Sequence, residues 1–211
     1  MTSLFVVDWD DTCLCSYHLY SMGYTLDFVG PMDRKTTTLL LKLDQSVCLF
    51  LETLVSKGQS WIITNAEKGW IELSGKRYMP QTFTYIQQGF IKVMSARSSF
   101  EDVSEDPLTW KIMGMYHAIK THQGPIHQIV GFGDSHHDRK ALQKVGTSLP
   151  LFKNVKFAER PSINQLYMQC NLMTKCLDDI YHHEGPLDLM MDIRLNTPSE
   201  MTATTPTIKV K

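Results

Sequence analysis

The sequence predicts an α/β protein, because short apolar runs suited to buried strands alternate with longer segments of helical period. Three stretches carry this expectation. Leu4 to Val7 is a continuous apolar run, as in a parallel strand covered on both faces, and it is followed by Asp8, Trp9, Asp10, Asp11 and Thr12. Thr36 to Lys57 repeats Leu39, Leu40, Leu43, Val47, Phe50, Leu51 and Leu54 at three- and four-residue steps, and Gly58 stops it. Ile126 to Phe132 is a further apolar strand, running into Gly133-Asp134.

The first acidic stretch organises the rest. Ligands of open α/β sheets bind beyond the carboxyl ends of the strands. Asp8 is therefore expected at the end of the first strand and Asp10 one residue past it. Alternation along a strand puts Asp8 and Asp10 on one side and turns Asp11 away. Two carboxylates that close repel unless a cation or a shared proton intervenes.

Bulk composition narrows the function classes. A chain of 211 residues with 43% hydrophobic content can bury one ordinary core, expected over residues 1–193. A net charge of -1 gives no field to favour nucleic acid as a partner. No charged leader precedes a long apolar stretch, and none approaches the ~18 apolar residues that span a bilayer. A soluble cytoplasmic protein with no membrane partner is expected. The five cysteines, Cys13, Cys15, Cys48, Cys170 and Cys176, lack CxxC pairs and read as reduced, packed thiols rather than disulfides, zinc ligands or nucleophiles.

Taken in order, residues 13–35 mix Tyr17, Tyr20, Tyr24, Gly23, Gly30 and Pro31, which suggests turns and a small hairpin, not a helix. A second strand, Trp61 to Ile63, ends in Thr64-Asn65-Ala66. A hydroxyl, an amide and a helix N-terminus there suit an anion, although Thr and Asn are also ordinary helix caps. Ala66 to Arg77 reads as a helix with Trp70, Ile71 and Leu73 inward. A third strand lies within Ile86 to Met94, and Arg97 follows it as a solvated loop residue. After the acidic loop Phe100 to Pro107, a helix from Leu108 to Thr121 carries Lys111.

In the acidic stretch after Phe132, Asp134 and Asp138 are four residues apart, which brings them to one side of the turn entering the next helix. Hard oxygen ligands without cysteine or a paired imidazole pattern favour magnesium over zinc. His136 and His137 are adjacent, point apart and cannot easily share one ion. A short strand at Val155 to Ala158 and a helix from Pro161 to Tyr181 follow, the latter with Leu166, Cys170, Met173 and Leu177 on one face. His182 and His183 end that helix at the surface. Residues 194–211 lack a core pattern and are expected to be a flexible tail.

Asp8-x-Asp10-x-Thr12 after an apolar strand resembles the first motif of the haloacid dehalogenase (HAD) superfamily in its phosphatase form. Thr64 resembles the second motif, Lys111 the third, with Lys92 as its competitor, and Gly133-Asp134 with Asp138 the fourth. The resemblance covers about residues 3–180. It implies a Rossmann-like three-layer sandwich with a mainly parallel central sheet, and residues 13–35 as a flap or minimal cap. It also implies hydrolysis of a phosphate monoester through an aspartyl-phosphate. Asp8 would be the nucleophile, Asp10 the general acid and base, and Thr64, Asn65 and Lys111 the phosphate contacts. Asp8, Asp10 (through its carbonyl), Asp134 and Asp138 would form a magnesium site. A small cap leaves both a small phosphate ester and a phosphoprotein open as substrate. Two other readings are weighed: a catalytically silent HAD-like binding or regulatory protein, and an aspartate-phosphorylated receiver. The receiver ranks low, because its paired acids precede the phosphorylated Asp on a separate strand.

Overall fold

A computed structural model describes residues 2–193 and 206–210. The chain runs β1 (Thr2–Val7), α1 (Ser16–Ser21), α2 (Arg34–Lys57), β2 (Gln59–Thr64), α3 (Trp70–Tyr78), α4 (Pro80–Gln87), β3 (Ile91–Ser95) and α5 (Ala96–Phe100). It continues α6 (Pro107–Lys120), β4 (Ile126–Gly133), α7 (His136–Gly146), β5 (Leu151–Lys156), α8 (Ile163–His182), β6 (Leu187–Ile193) and β7 (Pro206–Val210). The strand order is β3-β2-β1-β4-β5-β6-β7. The first six strands of that order are all parallel and only β7 joins antiparallel. This is the α/β, Rossmann-like three-layer sandwich expected from the sequence.

The pleat of β1 shows how the layers form. Phe5 and Val7 face a core built with Leu43, Val47 and Leu51 of α2 and Leu166, Met173 and Leu177 of α8. Leu4 and Val6 face a second core with Met115 and Ala118 of α6 and Ala141, Leu142 and Val145 of α7. Because both faces are covered, every residue from Leu4 to Val7 is buried. That is why the run shows no polar alternation. Each such side chain contributes roughly 1.5–3 kcal/mol through burial.

One buried carboxylate belongs to this framework rather than to any ligand. Asp44 sits in the middle of α2, only 2% exposed. Its two oxygens accept from the backbone N–H groups of Gln81 and Thr82, each at 2.8 Å, at the start of α4. A remote side chain thus caps α4, whose N-cap residue Met79 cannot. Asp44→Ala is expected to destabilise the chain by about 2 kcal/mol, lowering the thermal midpoint by about 4–8 °C. A calorimetric scan checks this, and a midpoint unchanged by the substitution would remove the capping role.

Several elements differ from the expectation. Residues 16–21 form the short helix α1, too brief to show a period. Residues 80–87 are helical, so the third strand starts at Ile91 rather than Ile86. α3 starts at Trp70 and not at Ala66, and Leu73 points outward, 57% exposed. β5 begins at Leu151, four residues earlier than read. Pro161 precedes the N-cap Ser162 of α8 rather than opening the helix. β6 was not expected at all. Residues 206–210 of the expected flexible tail form an edge strand on β6, while residues 194–205 and 211 lie outside the described residues. Among the described residues, no helix is long and apolar enough to cross a membrane.

Candidate functional site

β2, β1 and β4 are neighbours in a parallel sheet, so their carboxyl ends share one edge. Asp8, Thr64 and Asp134 follow those three ends. Asp8 N–H donates to Phe132 O at 2.9 Å, which locks the exit of β1 to β4. The chain then turns tightly: the N–H groups of Cys13 and Leu14 both donate to Trp9 O, at 2.8 and 3.0 Å. Asp11 takes a left-handed conformation with φ 52°, which aspartate tolerates better than most residues. That turn ends the strand alternation. Asp11 consequently lines the same cavity as Asp8 and Asp10 instead of pointing away from it. Its carboxylate accepts from Tyr17 N–H at 3.2 Å.

Lys111 enters from the first turns of α6. Its ammonium is buried and donates to Asp8 Oδ1, Asp138 Oδ1 and Ile63 O, each at 2.7 Å. An ammonium has three N–H bonds, so these partners saturate it. Burial pulls its pKa down, but the Asp138 and Asp8 carboxylates outweigh that and hold it above the ordinary lysine value. Lys92, the competitor, lies on β3 in register with Trp61, three residues below Thr64, and packs over the Trp61 ring. Of the two lysines, Lys111 is the one that reaches the acidic cluster.

Asp138 reaches the site from the first turn of α7. Ser135 Oγ accepts from Asp138 N–H at 3.1 Å and Asp138 Oδ2 accepts from Ser135 N–H at 3.3 Å, a reciprocal capping box, and Oδ2 also accepts from the Ser135 hydroxyl at 2.6 Å. Gly133 makes the approach possible: a Cβ there would lie 2.5 Å from Asp138 Cβ. One ligand oxygen from each of Asp8, Asp134 and Asp138 lies within 4.8 Å of the others. Three carboxylates without sulfur or imidazole suit a hard divalent cation. The fit is one of donor chemistry and proximity, and it names no particular ion.

Burial sets the protonation of this cluster. It pushes the Asp8 carboxyl well above the usual range, helped by the charge of Asp138 and opposed by Lys111. Asp10 is also raised, again mainly by burial. Asp11 is pushed up to about 6 by burial, and Asp134 to about 7 by burial and by the charges of Asp138 and Asp11. So many raised carboxyls around one lysine mark a site short of positive charge.

Thr64 Oγ1 accepts from Ala66 N–H at 3.0 Å and lies 3.4 Å from Asp10 Oδ2, on the wall of the cavity. Asn65 is placed differently from the expectation. Its amide N–H donates to Pro107 O at 2.9 Å, so it ties the β2 exit to the start of α6, where Lys111 originates. The cavity is about 400 Å³ and is also lined by His137. His136 instead faces Glu159 at 3.8 Å. Arg97 pairs with Glu67 and Glu101 outside the cavity.

The flap expected over residues 13–35 is fastened to α3. The Arg77 guanidinium donates to Leu26 O and Phe28 O, and Tyr78 Oη lies 2.9 Å from Tyr24 O. All five thiols are free. Cys13 and Cys15 are fully buried, and burial pushes Cys15 up to about 12 and Cys13 well above its ordinary value, which disfavours the thiolate in both.

Sequence reasoning missed Trp70 and Ser135. Trp70 was read as core, yet its indole N–H donates to Asp10 Oδ1 at 2.9 Å. Ser135 had a legible signal, because Ser-x-x-Asp before a helix is the capping-box pattern.

As chemistry, the site offers a carboxylate held by a buried cation, a second carboxyl beside it, and an acidic cluster able to take a divalent ion. Comparison of the chain with protein-family models, with curated proteins and with solved structures finds no match.

Proposed function

We propose that this chain is a magnesium-dependent phosphatase that hydrolyses a phosphate monoester through an aspartyl-phosphate, as its likeness to the HAD superfamily implies. The observation that carries the reading is the Lys111 ammonium, 2.7 Å from both Asp8 Oδ1 and Asp138 Oδ1, with the Asp10 carboxyl beside Thr64 in the same cavity. A structural ion pair would need neither the second carboxyl nor the acidic cluster around it. The five free thiols suit a reducing compartment such as the cytoplasm.

In this mechanism an Asp8 oxygen attacks phosphorus, and the bond from phosphorus to the ester oxygen breaks with its electron pair moving to that oxygen. Asp10 gives its proton to the departing oxygen. A water molecule then attacks the phosphorus, returns a proton to Asp10, and the bond to Asp8 breaks to release inorganic phosphate. Thr64 supplies a hydroxyl to the phosphoryl oxygens. Lys111, whose N–H groups already have protein partners, acts on them through its charge and by holding Asp8 in place. When bound, the ion would be held by Asp8, Asp134 and the Asp10 backbone carbonyl with Asp138 behind them, and it would offset the repulsion between the Asp8 carboxylate and the ester dianion.

The test is phosphate release by the full chain from para-nitrophenyl phosphate, a sugar phosphate, a nucleotide and a phosphopeptide, with magnesium or with chelator. Turnover that needs magnesium is expected. A rise in thermal midpoint with magnesium but no turnover on any substrate would replace this reading with the silent binding protein. The same panel separates a small ester from a phosphoprotein as the preferred partner.

A further inference from the structure

We infer that the Trp70 indole positions the Asp10 carboxyl and fixes which of its two oxygens faces the substrate. The inference rests on the phosphatase reading for its kinetic consequence and on geometry for the contact itself. Indole Nε1 can donate a hydrogen bond but never accept one. It lies 2.9 Å from Asp10 Oδ1, so Oδ1 is held as an acceptor. Oδ2 is then the oxygen left free to carry a proton toward the substrate, since its neighbour, the Thr64 hydroxyl at 3.4 Å, donates to it here but can also accept.

The backbone that carries the indole is tied to the acid loop. Trp70 opens α3, and its carbonyl accepts from Ser74 Oγ at 2.7 Å. The same Ser74 Oγ accepts from Trp9 Nε1 at 3.0 Å. Trp9 lies between Asp8 and Asp10 in the chain and is fully buried. Two tryptophans and one serine therefore join the acid loop to the first turn of α3. A phenylalanine could replace the bulk of Trp70 but not its N–H, which is the group that touches the carboxyl.

The consequence depends on the leaving group. An alkoxide needs the Asp10 proton as the phosphorus–oxygen bond breaks, whereas para-nitrophenolate leaves almost unaided. For Trp70→Phe, kcat with an alkyl phosphate is expected to fall about 100-fold, against roughly threefold with para-nitrophenyl phosphate. KM should stay within about twofold, since the ester's own contacts are unchanged.

The experiment compares wild type, Trp70→Phe and a protein with benzothienylalanine at position 70, which keeps the indole shape but replaces the N–H by sulfur. A second arm follows the Trp70 indole N–H resonance in isotope-labelled protein before and after Asp10→Ala. The positioning role predicts the split between leaving groups in both Trp70 replacements, and a resonance that moves when Asp10 is removed. Equal losses on both esters would reduce Trp70 to packing, and a resonance indifferent to Asp10→Ala would overturn the contact. Wild type inactive toward both esters would sink the phosphatase reading instead, with the resonance still deciding the contact.

Discussion

Asp8→Asn is expected to abolish magnesium-dependent phosphate release, lowering kcat by at least about 10⁴-fold. An amide cannot form the acyl phosphate, so the loss falls on the chemical step and not on folding. The fold should tolerate the change well. The amide oxygen can still accept from Lys111 Nζ, as Asp8 Oδ1 does now at 2.7 Å. The substitution also removes a negative charge from a cluster in which burial already disfavours ionised Asp8. The thermal midpoint of metal-free Asp8→Asn should therefore equal or exceed that of wild type. Phosphate release and a thermal scan on the same preparation check both halves. Activity retained by a well-folded Asp8→Asn protein would remove Asp8 as nucleophile, while lost structure would move the same test to Asp8→Ala, which removes the reacting group without adding bulk.

Much of this site was legible in the sequence because its acidic residues sit where strands stop. A strand that ends in carboxylates announces itself locally, and two such ends, those of β1 and β4, become neighbours with the Thr64 end of β2 beside them once the three strands pair in parallel. What escaped was set by distant contacts. α4 begins at Pro80 because Asp44, in the middle of another helix, supplies its cap. The remote cap leaves no trace near position 80, where Pro80 is an ordinary first helical residue, so the sequence assigns residues 80–85 to no element. β6 was hidden for a related reason. Asp188 interrupts its apolar run, and its carboxylate accepts from Asn154 Nδ2 at 2.9 Å on β5 and pairs with Arg139 of α7. Trp70 was misjudged because an aromatic at helical spacing is ordinarily core, and periodicity cannot show where an indole N–H points.

The same distinction governs Lys111, whose spacing made it a candidate but whose energetics only the fold reveals. Lys111→Met is expected to lower kcat by about 10²–10³-fold, since the positive charge near the phosphoryl group is lost. It should also cost about 3 kcal/mol of stability near pH 8, because Asp8 and Asp138 would face each other in a buried site without their shared cation. The pH dependence has a definite sign. Asp8 and Asp134 are raised in the folded protein, Asp134 from 3.8 to about 7, mainly by burial. A raised carboxyl binds its proton more tightly when folded, so its contribution is full below the unfolded value and fades as pH climbs through the folded one. The metal-free wild type should accordingly lose stability between about pH 4 and pH 7, and Lys111→Met more steeply, as no ammonium remains to offset Asp8. Magnesium should recover more of the variant's thermal midpoint at pH 8 than at pH 5, where protons already neutralise the cluster. Thermal scans across that range with and without magnesium measure this, and a Lys111→Met deficit that ignores both pH and the ion would mean that the lysine supports packing alone.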